Sequence, residues 1–448
     1  MPDELAGQAS YPWKFRFSLL GEDTAVSLRP GDALSASAAE AVRKSAIARG
    51  HGQLAPVAGS PFLERYLEGN AVAHTGATVT TPEAIAEAFW SEVERSGMQL
   101  NRDRTLAFLS AALSKPFIIL TGQSGSGKTQ LAQRLGEWCG VDRVGRPRYL
   151  VVPVRPDWTG PEYLFGYPDG LRPPVRGRAV WSVPETLEFM FRAQAEPSAP
   201  YLLLLDEMNL AHVERYFADF LSGIESREPV LPGLEPTDGQ WVATEEGGRS
   251  PIPTNLIVVG TVNVDETTYL FSPKVLDRAF TFEFRVAADE LDAALRRPAP
   301  APASSPQVLD RLVEIVRDDE WQFRQPHPEH EDLLDDLRQL HGILGPAGVD
   351  FGHRVVFEAL RFAALLHATT GADRDQALDF ITVTKLLPKV HGSRQRLEPV
   401  MRGLIDFAAG DVDRPRGSGG GARLPIAMEK LERMLATLLD AQFVSFTE

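Results

Sequence analysis

Gly122, Gln123, Ser124, Gly125, Ser126, Gly127, Lys128 and Thr129 follow the order glycine, four residues, glycine, lysine, threonine. This spacing suits a backbone that curls around phosphate oxygens. The glycines permit the turn, several N–H groups point inward, and the positive end of a following helix reinforces them. Lys128 would reach the β and γ phosphates of a nucleotide, and the Thr129 hydroxyl would hold Mg²⁺. The flanks fit. Residues 117–120 are an apolar run of strand length, and beyond Gln130 the residues Leu131 and Leu135 share one helical face. A Gly/Ser-rich surface turn does not account for a strand and a helix on either side.

Hydrolysis needs a second element to place metal and water. Tyr201 and four leucines, followed by Asp206 and Glu207, read as a parallel strand covered on both faces with two carboxylates at its C-terminal end. That end is where open α/β sheets place ligands. Asp206 is expected to bind Mg²⁺ through water, and Glu207 to polarise the attacking water as general base. Residues 255–261 form another buried-strand candidate ending near Asn263, and Arg278 stands just before the strand-like run 281–284. Taken alone, Asn263 reads as a turn residue and Arg278 as a surface ion-pair partner.

In this order the motifs resemble an AAA+ ATPase. Residues 205–211 (Leu-Asp-Glu-Met-Asn-Leu-Ala), 260–263 (Gly-Thr-Val-Asn) and 272–278 (Ser-Pro-Lys-Val-Leu-Asp-Arg) are similar to the McrB-like branch, near the MoxR and dynein-related groups. Residues 151–158, 164–167 and 386–392 (Leu-Leu-Pro-Lys-Val-His-Gly) also resemble this branch. The resemblance covers roughly Asn101 to the end of the chain. It implies a sensor role for Asn263, an arginine finger at Arg278 that completes a neighbouring subunit's site, and a nucleotide-contacting lid arginine at Arg354. Where GTP-using relatives run Asn-Thr-Ala-Asp, this chain has Asn263-Val264-Asp265-Glu266, and Leu210 replaces their arginine. ATP is therefore the expected nucleotide, with GTP as the alternative, and Mg²⁺ the expected metal.

The expected fold is α/β: a P-loop AAA+ parallel-sheet core, a C-terminal α-helical lid and a small N-terminal α+β module. Residues 1–98 are assigned to that module, whose role is open, 99–290 to the nucleotide-binding core, 291–306 to an Ala/Pro linker and 307–448 to the lid. In the module, residues 13–19 alternate as on a half-buried strand and residues 35–49 read as a helix. Thr81 reads as a helix cap with Pro82 at the first helical position, ahead of Ile85, Phe89 and Val93. Residues 308–316, 355–366 and 427–439 have helical periodicity, and 417–421 is a Gly/Ser loop.

A formal net charge of −15 over 448 residues argues against a protein that coats nucleic acid, though not against local basic patches. Arg172, Arg176 and Arg178 form one patch, and Arg143, Arg146 and Arg148 another. By resemblance the first falls where the clade inserts a pore-facing hairpin; a solvated basic loop is the equal alternative. One cysteine, Cys139, allows no internal disulfide, and neither a signal peptide nor an apolar run of membrane-spanning length is found. A soluble cytoplasmic protein without membrane partners is expected.

Three functions compete. The first is an AAA+ NTPase that assembles as a homo-oligomeric ring of six and powers an McrC-like nuclease partner, reaching DNA through the complex, in restriction or antiviral defence. The second is a MoxR- or midasin-like remodeller of proteins. The third is a nucleotide-switched scaffold with slow hydrolysis. No nuclease motif is found in the chain, so cleavage is expected from a partner.

Overall fold

The computed structural model describes residues 14–19, 22–27, 81–98, 100–245, 247–264, 271–285, 302–410 and 422–446. The chain divides into two units, residues 1–78 and 79–448. In the first, strands β1 (Lys14–Leu19) and β2 (Glu22–Ser27) form an antiparallel hairpin in which Lys14 faces Ser27 and Leu19 faces Glu22. β1 falls on the alternating run read as a strand. The helix expected over residues 35–49 lies outside the described residues.

The second unit is built on a five-stranded parallel sheet. Its strands are β3 (Phe117–Gly122), β4 (Tyr149–Pro153), β5 (Tyr201–Asp206), β6 (Leu256–Asn263) and β7 (Phe280–Phe284), in the spatial order β7-β3-β6-β5-β4. Uniform apolar runs form these strands because both faces of the sheet are covered. Alternate residues supply the two faces. Ile118, Leu120, Leu202, Leu204 and Val259 enter one apolar core, while Phe117, Ile119, Leu203, Leu205 and Val258 enter the other.

Helices α1 (Pro82–Arg95), α2 (Arg102–Ser114) and α3 (Lys128–Trp138) pack in the first core. Helices α4 (Glu185–Ala195) and α5 (Ala218–Ser226) pack in the second. α1 begins as its sequence dictates: the Thr81 hydroxyl accepts from the Ala84 N–H at 3.2 Å, Pro82 opens the helix, and Ile85, Phe89 and Val93 are fully buried. Phe89 meets Trp138 of α3 with ring centroids 5.3 Å apart. The division at residues 78 and 79 thus groups α1 with the sheet, where the sequence set its boundary at 98. Cys139 is buried behind α3, and burial pushes its thiol up to about 12, so it packs rather than reacts.

The C-terminal part is helical: α6 (Pro306–Arg317), α7 (His330–Leu344), α8 (His353–Thr370), α9 (Arg374–Ile381), α10 (Arg394–Ala409) and α11 (Pro425–Ala441). The periodic runs at 308–316, 355–366 and 427–439 lie within α6, α8 and α11. α8 joins this part to the sheet. Thr369 and Ser110 of α2 share a hydrogen bond at 2.8 Å, and Phe362 packs on Phe280 of β7 at 5.2 Å. Most of the expected linker and the Gly/Ser run at 417–421 lie outside the described residues. Among the described residues no helix is long and apolar enough to cross a membrane.

α11 is capped from a distance. The Asp379 carboxylate at the end of α9 accepts from the N–H groups of Ile426 and Ala427 at 2.9 and 2.7 Å. Asp379→Ala should therefore lower stability by about 1–2 kcal/mol, read as a lower Tm. Burial raises the Asp379 carboxyl to about 6, against the pull of those two hydrogen bonds. Because the folded-state pKa lies above the ordinary value, the contribution of this group is complete below about pH 4 and is lost as pH rises through about 6. Melts of Asp379→Asn between about pH 4 and 7 should lack that downward increment; equal slopes would exclude this linkage.

Candidate functional site

Strand register decides what meets at the carboxyl edge of the sheet. β6 pairs with β3 so that Asn263 faces Gly122, and with β5 so that Gly260 faces Leu205. The glycine loop, the Asp206–Glu207 pair and Asn263 therefore leave the sheet at one edge, where open parallel sheets bind ligands.

Gly122 has a local steric cause. Its φ is +146°, and a Cβ there would lie 2.1 Å from the carbonyl oxygen of Phe284 on the neighbouring β7. From this point Gln123, Ser124, Gly125 and Ser126 form the turn, and Gly127 enters α3 at φ +91° with no side-chain cap. The first N–H groups of α3 are left pointing into the loop. Lys128 is buried, and its Nζ donates to the carbonyls of Gly122 and Gln123 at 2.7 and 2.6 Å.

A chain of hydrogen bonds links the three strand ends. The Thr129 hydroxyl donates to Asp206 Oδ1 at 3.0 Å, and the Thr261 hydroxyl donates to the same oxygen at 2.7 Å. The Glu207 N–H donates to Thr261 Oγ1 at 2.9 Å, and Asn263 Nδ2 donates to Glu207 Oε1 at 2.9 Å. Glu207 itself has φ +54°, a strained conformation for a side-chain-bearing residue. Gly260 makes room for the turn beyond it, since a Cβ would lie 2.5 Å from Met208 Sδ. The residues fit the expected ligands. The Thr129 hydroxyl and Asp206 carboxylate are hard oxygen donors suited to Mg²⁺, and the amine and helix N–H groups suit phosphate.

Sequence reading missed Thr261 as a site residue. Its signal was present: a hydroxyl in an otherwise apolar strand, two residues before Asn263 and hence on the same face. Asn209, whose Nδ2 donates to the Asn263 carbonyl at 3.4 Å, was also missed. Asp265 and Glu266 lie outside the described residues.

Arg278 and Arg354 stand elsewhere. β7 runs parallel to β3 with Phe280 opposite Ile118, so Arg278 lies level with the start of β3. Six residues of strand, roughly 20 Å, separate that level from Gly122. There Arg278 pairs with Glu225 of α5 and donates to the Lys274 carbonyl at 2.7 Å. Arg354, at the first turn of α8, pairs with the same Glu225 and with Asp277 at 3.1 Å. Arg354, expected as a nucleotide-contacting lid arginine, thus stands beside Arg278 at the end of the sheet opposite its own glycine loop.

The basic loop is a hairpin: Tyr167–Pro168 pairs with Trp181–Ser182, and Val175 bridges Arg178. Its arginines are not free. Arg172 pairs with Asp169 at 3.0 Å, Arg176 with Asp238 at 3.2 Å, and Arg178 with Glu235. The last two acids come from a second hairpin, Leu234–Thr237 with Gln240–Ala243, which joins the first through a Val180–Val242 bridge. Arg143 and Arg148 pair with Glu196, and Arg146 with Glu188.

Residues 311–443 match a family model described as a domain of unknown function, DUF8727. Over 210 residues the chain is 21% identical to the type IV methyl-directed restriction enzyme EcoKMcrB subunit of Escherichia coli (strain K12), a match covering 47% of this chain and 44% of that protein. The chain thus spans less than half the length of this curated relative. Among solved structures it is similar to a candidate ATPase of Cytophaga hutchinsonii, with TM-score 0.47, 13% identity, and 76% and 98% of the two chains covered. An MCM homolog from Methanopyrus kandleri gives TM-score 0.35 and 12% identity, covering 73% and 62%. By motif set, sheet order and the similarity to the restriction subunit, the chain is McrB-like, with a P-loop AAA+ core and a helical C-terminal region.

Thr261 gives the geometry a direct check. Thr261→Val keeps the shape but leaves the Glu207 N–H without its acceptor, which should cost about 1–3 kcal/mol and lower Tm. Thr261→Ser, which restores the hydroxyl, should recover most of it. Equal melting of the valine variant and wild type would show that this bond contributes nothing.

Proposed function

We propose that this chain is a ring-forming AAA+ NTPase, with ATP as its nucleotide, that powers a partner nuclease in DNA restriction or phage defence. The observation that carries the hydrolytic reading is the unbroken line Thr129–Asp206–Thr261–Glu207–Asn263 beside the glycine loop. In this reading Gly122 to Thr129 cradle the phosphates, and Thr129 with Asp206 holds Mg²⁺, which supplies charge neutralisation on the β and γ phosphates. Glu207 takes the proton of the attacking water. Asn263, fixed on Glu207 Oε1, keeps that carboxylate turned toward the water.

The place of Arg278 supports a ring. At roughly 20 Å from its own loop it has no route to the phosphates held there, so an arginine finger at this position serves a second subunit. The similarity to a subunit of a restriction enzyme supports a nuclease partner. One observation favours a protein substrate in its place: each arginine of the basic hairpin is paired with a carboxylate, which weakens its field toward DNA. Stimulation of ATP turnover by duplex DNA, falling steeply with salt, would support the first reading. Turnover indifferent to DNA, alone and with the co-purifying partner, would support the second.

Three variants test the site. Lys128→Ala should weaken ATP binding about ten- to a hundredfold, because a charge-assisted contact to phosphate is lost; unchanged affinity in calorimetry would remove the phosphate-loop reading. Glu207→Gln should retain ATP and Mg²⁺ yet turn over about 10²–10⁴-fold more slowly. Wild-type turnover would move the base elsewhere. Arg278→Ala should bind ATP normally and lose about 10³-fold or more in rate. Mixing it with Lys128→Ala should restore activity, since each mutant supplies what the other lacks. A fully active Arg278→Ala, or mixed rings that stay inactive, would end the finger assignment.

A further inference from the structure

Residues 386–392 resemble the McrB-like branch but have no part in the site described above. Their surroundings give them one. α9 does not stop at Ile381 but widens into a π-helical turn, Thr382–Leu386, and then tightens into a 3₁₀ turn, Leu387–Lys389. Such a change of pitch re-aims the side chains it carries. Here it sends two lysines, Lys385 and Lys389, toward the segment that holds Arg278.

Lys385 has a side chain with no exposure, a costly place for an ammonium group unless every proton is used. Its Nζ donates at 3.0 Å to the carbonyl of Asp277 and at 3.0 Å to that of Ala279, the residues on either side of Arg278. The same amine pairs with Glu358 of α8, which also pairs with Lys115 at the entrance to β3. Lys389 pairs with the Asp277 carboxylate, and Arg354 takes its other oxygen at 3.1 Å. The backbone around Arg278 is thus gripped by carbonyl and carboxylate from the C-terminal helical region, through Arg354, Lys385 and Lys389. An apolar side chain would fill the space beside Phe280, over whose ring the amine lies at 4.9 Å, but it would hold neither carbonyl.

We infer that Lys385, seconded by Lys389, is a positioning residue for Arg278, and that it ties the helical region of one subunit to the phosphate site of the next. The inference rests on the reading of Arg278 as a finger acting between subunits. A shift of the helical region moves the two carbonyls and with them the backbone of Arg278, so the nucleotide state of one subunit reaches the chemistry of its neighbour. The charge balance agrees with a strained anchor. Burial pushes the Lys385 amine down to about 7, against the Glu358 charge that holds the proton on. Burial would raise the Asp277 carboxyl, yet the hydrogen bond and charge of Lys389, with Arg354, hold it below its ordinary value.

The test is Lys385→Met, with Lys389→Met as a second variant on the less buried contact. ATP hydrolysis and ATP affinity are measured for each folded variant alone and in mixed rings. Expected are ATP affinity within about twofold of wild type, kcat lowered about ten- to a hundredfold for Lys385→Met, and a smaller loss of the same kind for Lys389→Met. Mixing either with Lys128→Ala should restore turnover, because that subunit brings a well-placed Arg278 to an intact phosphate loop. Mixing either with Arg278→Ala should restore little. A variant that merely misfolds gains nothing from Lys128→Ala, so if Lys385→Met does not fold, Lys389→Met decides. Wild-type kcat in a folded Lys385→Met, or a loss that Lys128→Ala does not repair while it does repair Arg278→Ala, overturns this inference alone. Full activity of Arg278→Ala overturns the finger reading and this inference with it.

Discussion

The hydrogen-bond register of β6 between β3 and β5 is the constraint on which the site depends. Asn263 faces Gly122 on one side, and Gly260 faces Leu205 on the other. A slip of one residue would turn Thr261 and Asn263 to the opposite face and break the line from Thr129 to Asn263. The register is held by burial, because β6 is covered on both faces and its apolar residues have places in two cores. Local geometry then completes it. Gly122 lets β7 approach, and Gly260 lets Met208 fold under the turn that carries Glu207.

The two ends of the sheet carry different charges. At the carboxyl end, hydroxyls, an amide and two carboxylates are linked to one another beside the glycine loop. At the other end, Arg278 and Arg354 share Glu225, and Lys385, Lys389 and Lys115 surround Glu358 and Asp277. Buried ion pairs of this kind add little net stability, since desolvation offsets most of the attraction. Their value lies in direction: each fixes one donor on one acceptor, where apolar packing would tolerate several arrangements. An anchor made of charge suits a segment whose placement matters more than its burial.

The helical region is joined to the sheet by two kinds of contact. α8 shares the apolar core with α2 and β7, a rigid attachment through Phe362, Phe280 and the Ser110–Thr369 hydrogen bond. The lysines of the π and 3₁₀ turns add polar contacts to the carbonyls and carboxylate around Arg278, beside an apolar core that the same turns share with Phe280.

The sequence by itself determined the elements that local rules govern. The glycine loop, the uniform apolar strands, the acid pair at the end of β5 and the Thr81–Pro82 start of α1 were legible because spacing, burial and capping act within a few residues. The tertiary structure alone decided what those elements meet. Thr261 entered the site because register placed its hydroxyl between Asp206 and the Glu207 N–H, a meeting of residues more than fifty positions apart. Arg354 came to stand beside Arg278, on Glu225 and Asp277, because α8 packs across the strand entrances. The basic hairpin met the acids of a second hairpin that lies some sixty residues later. Lys385 carries no motif in the sequence; only the π turn and the approach of α9 to β7 bury it against the carbonyls around Arg278.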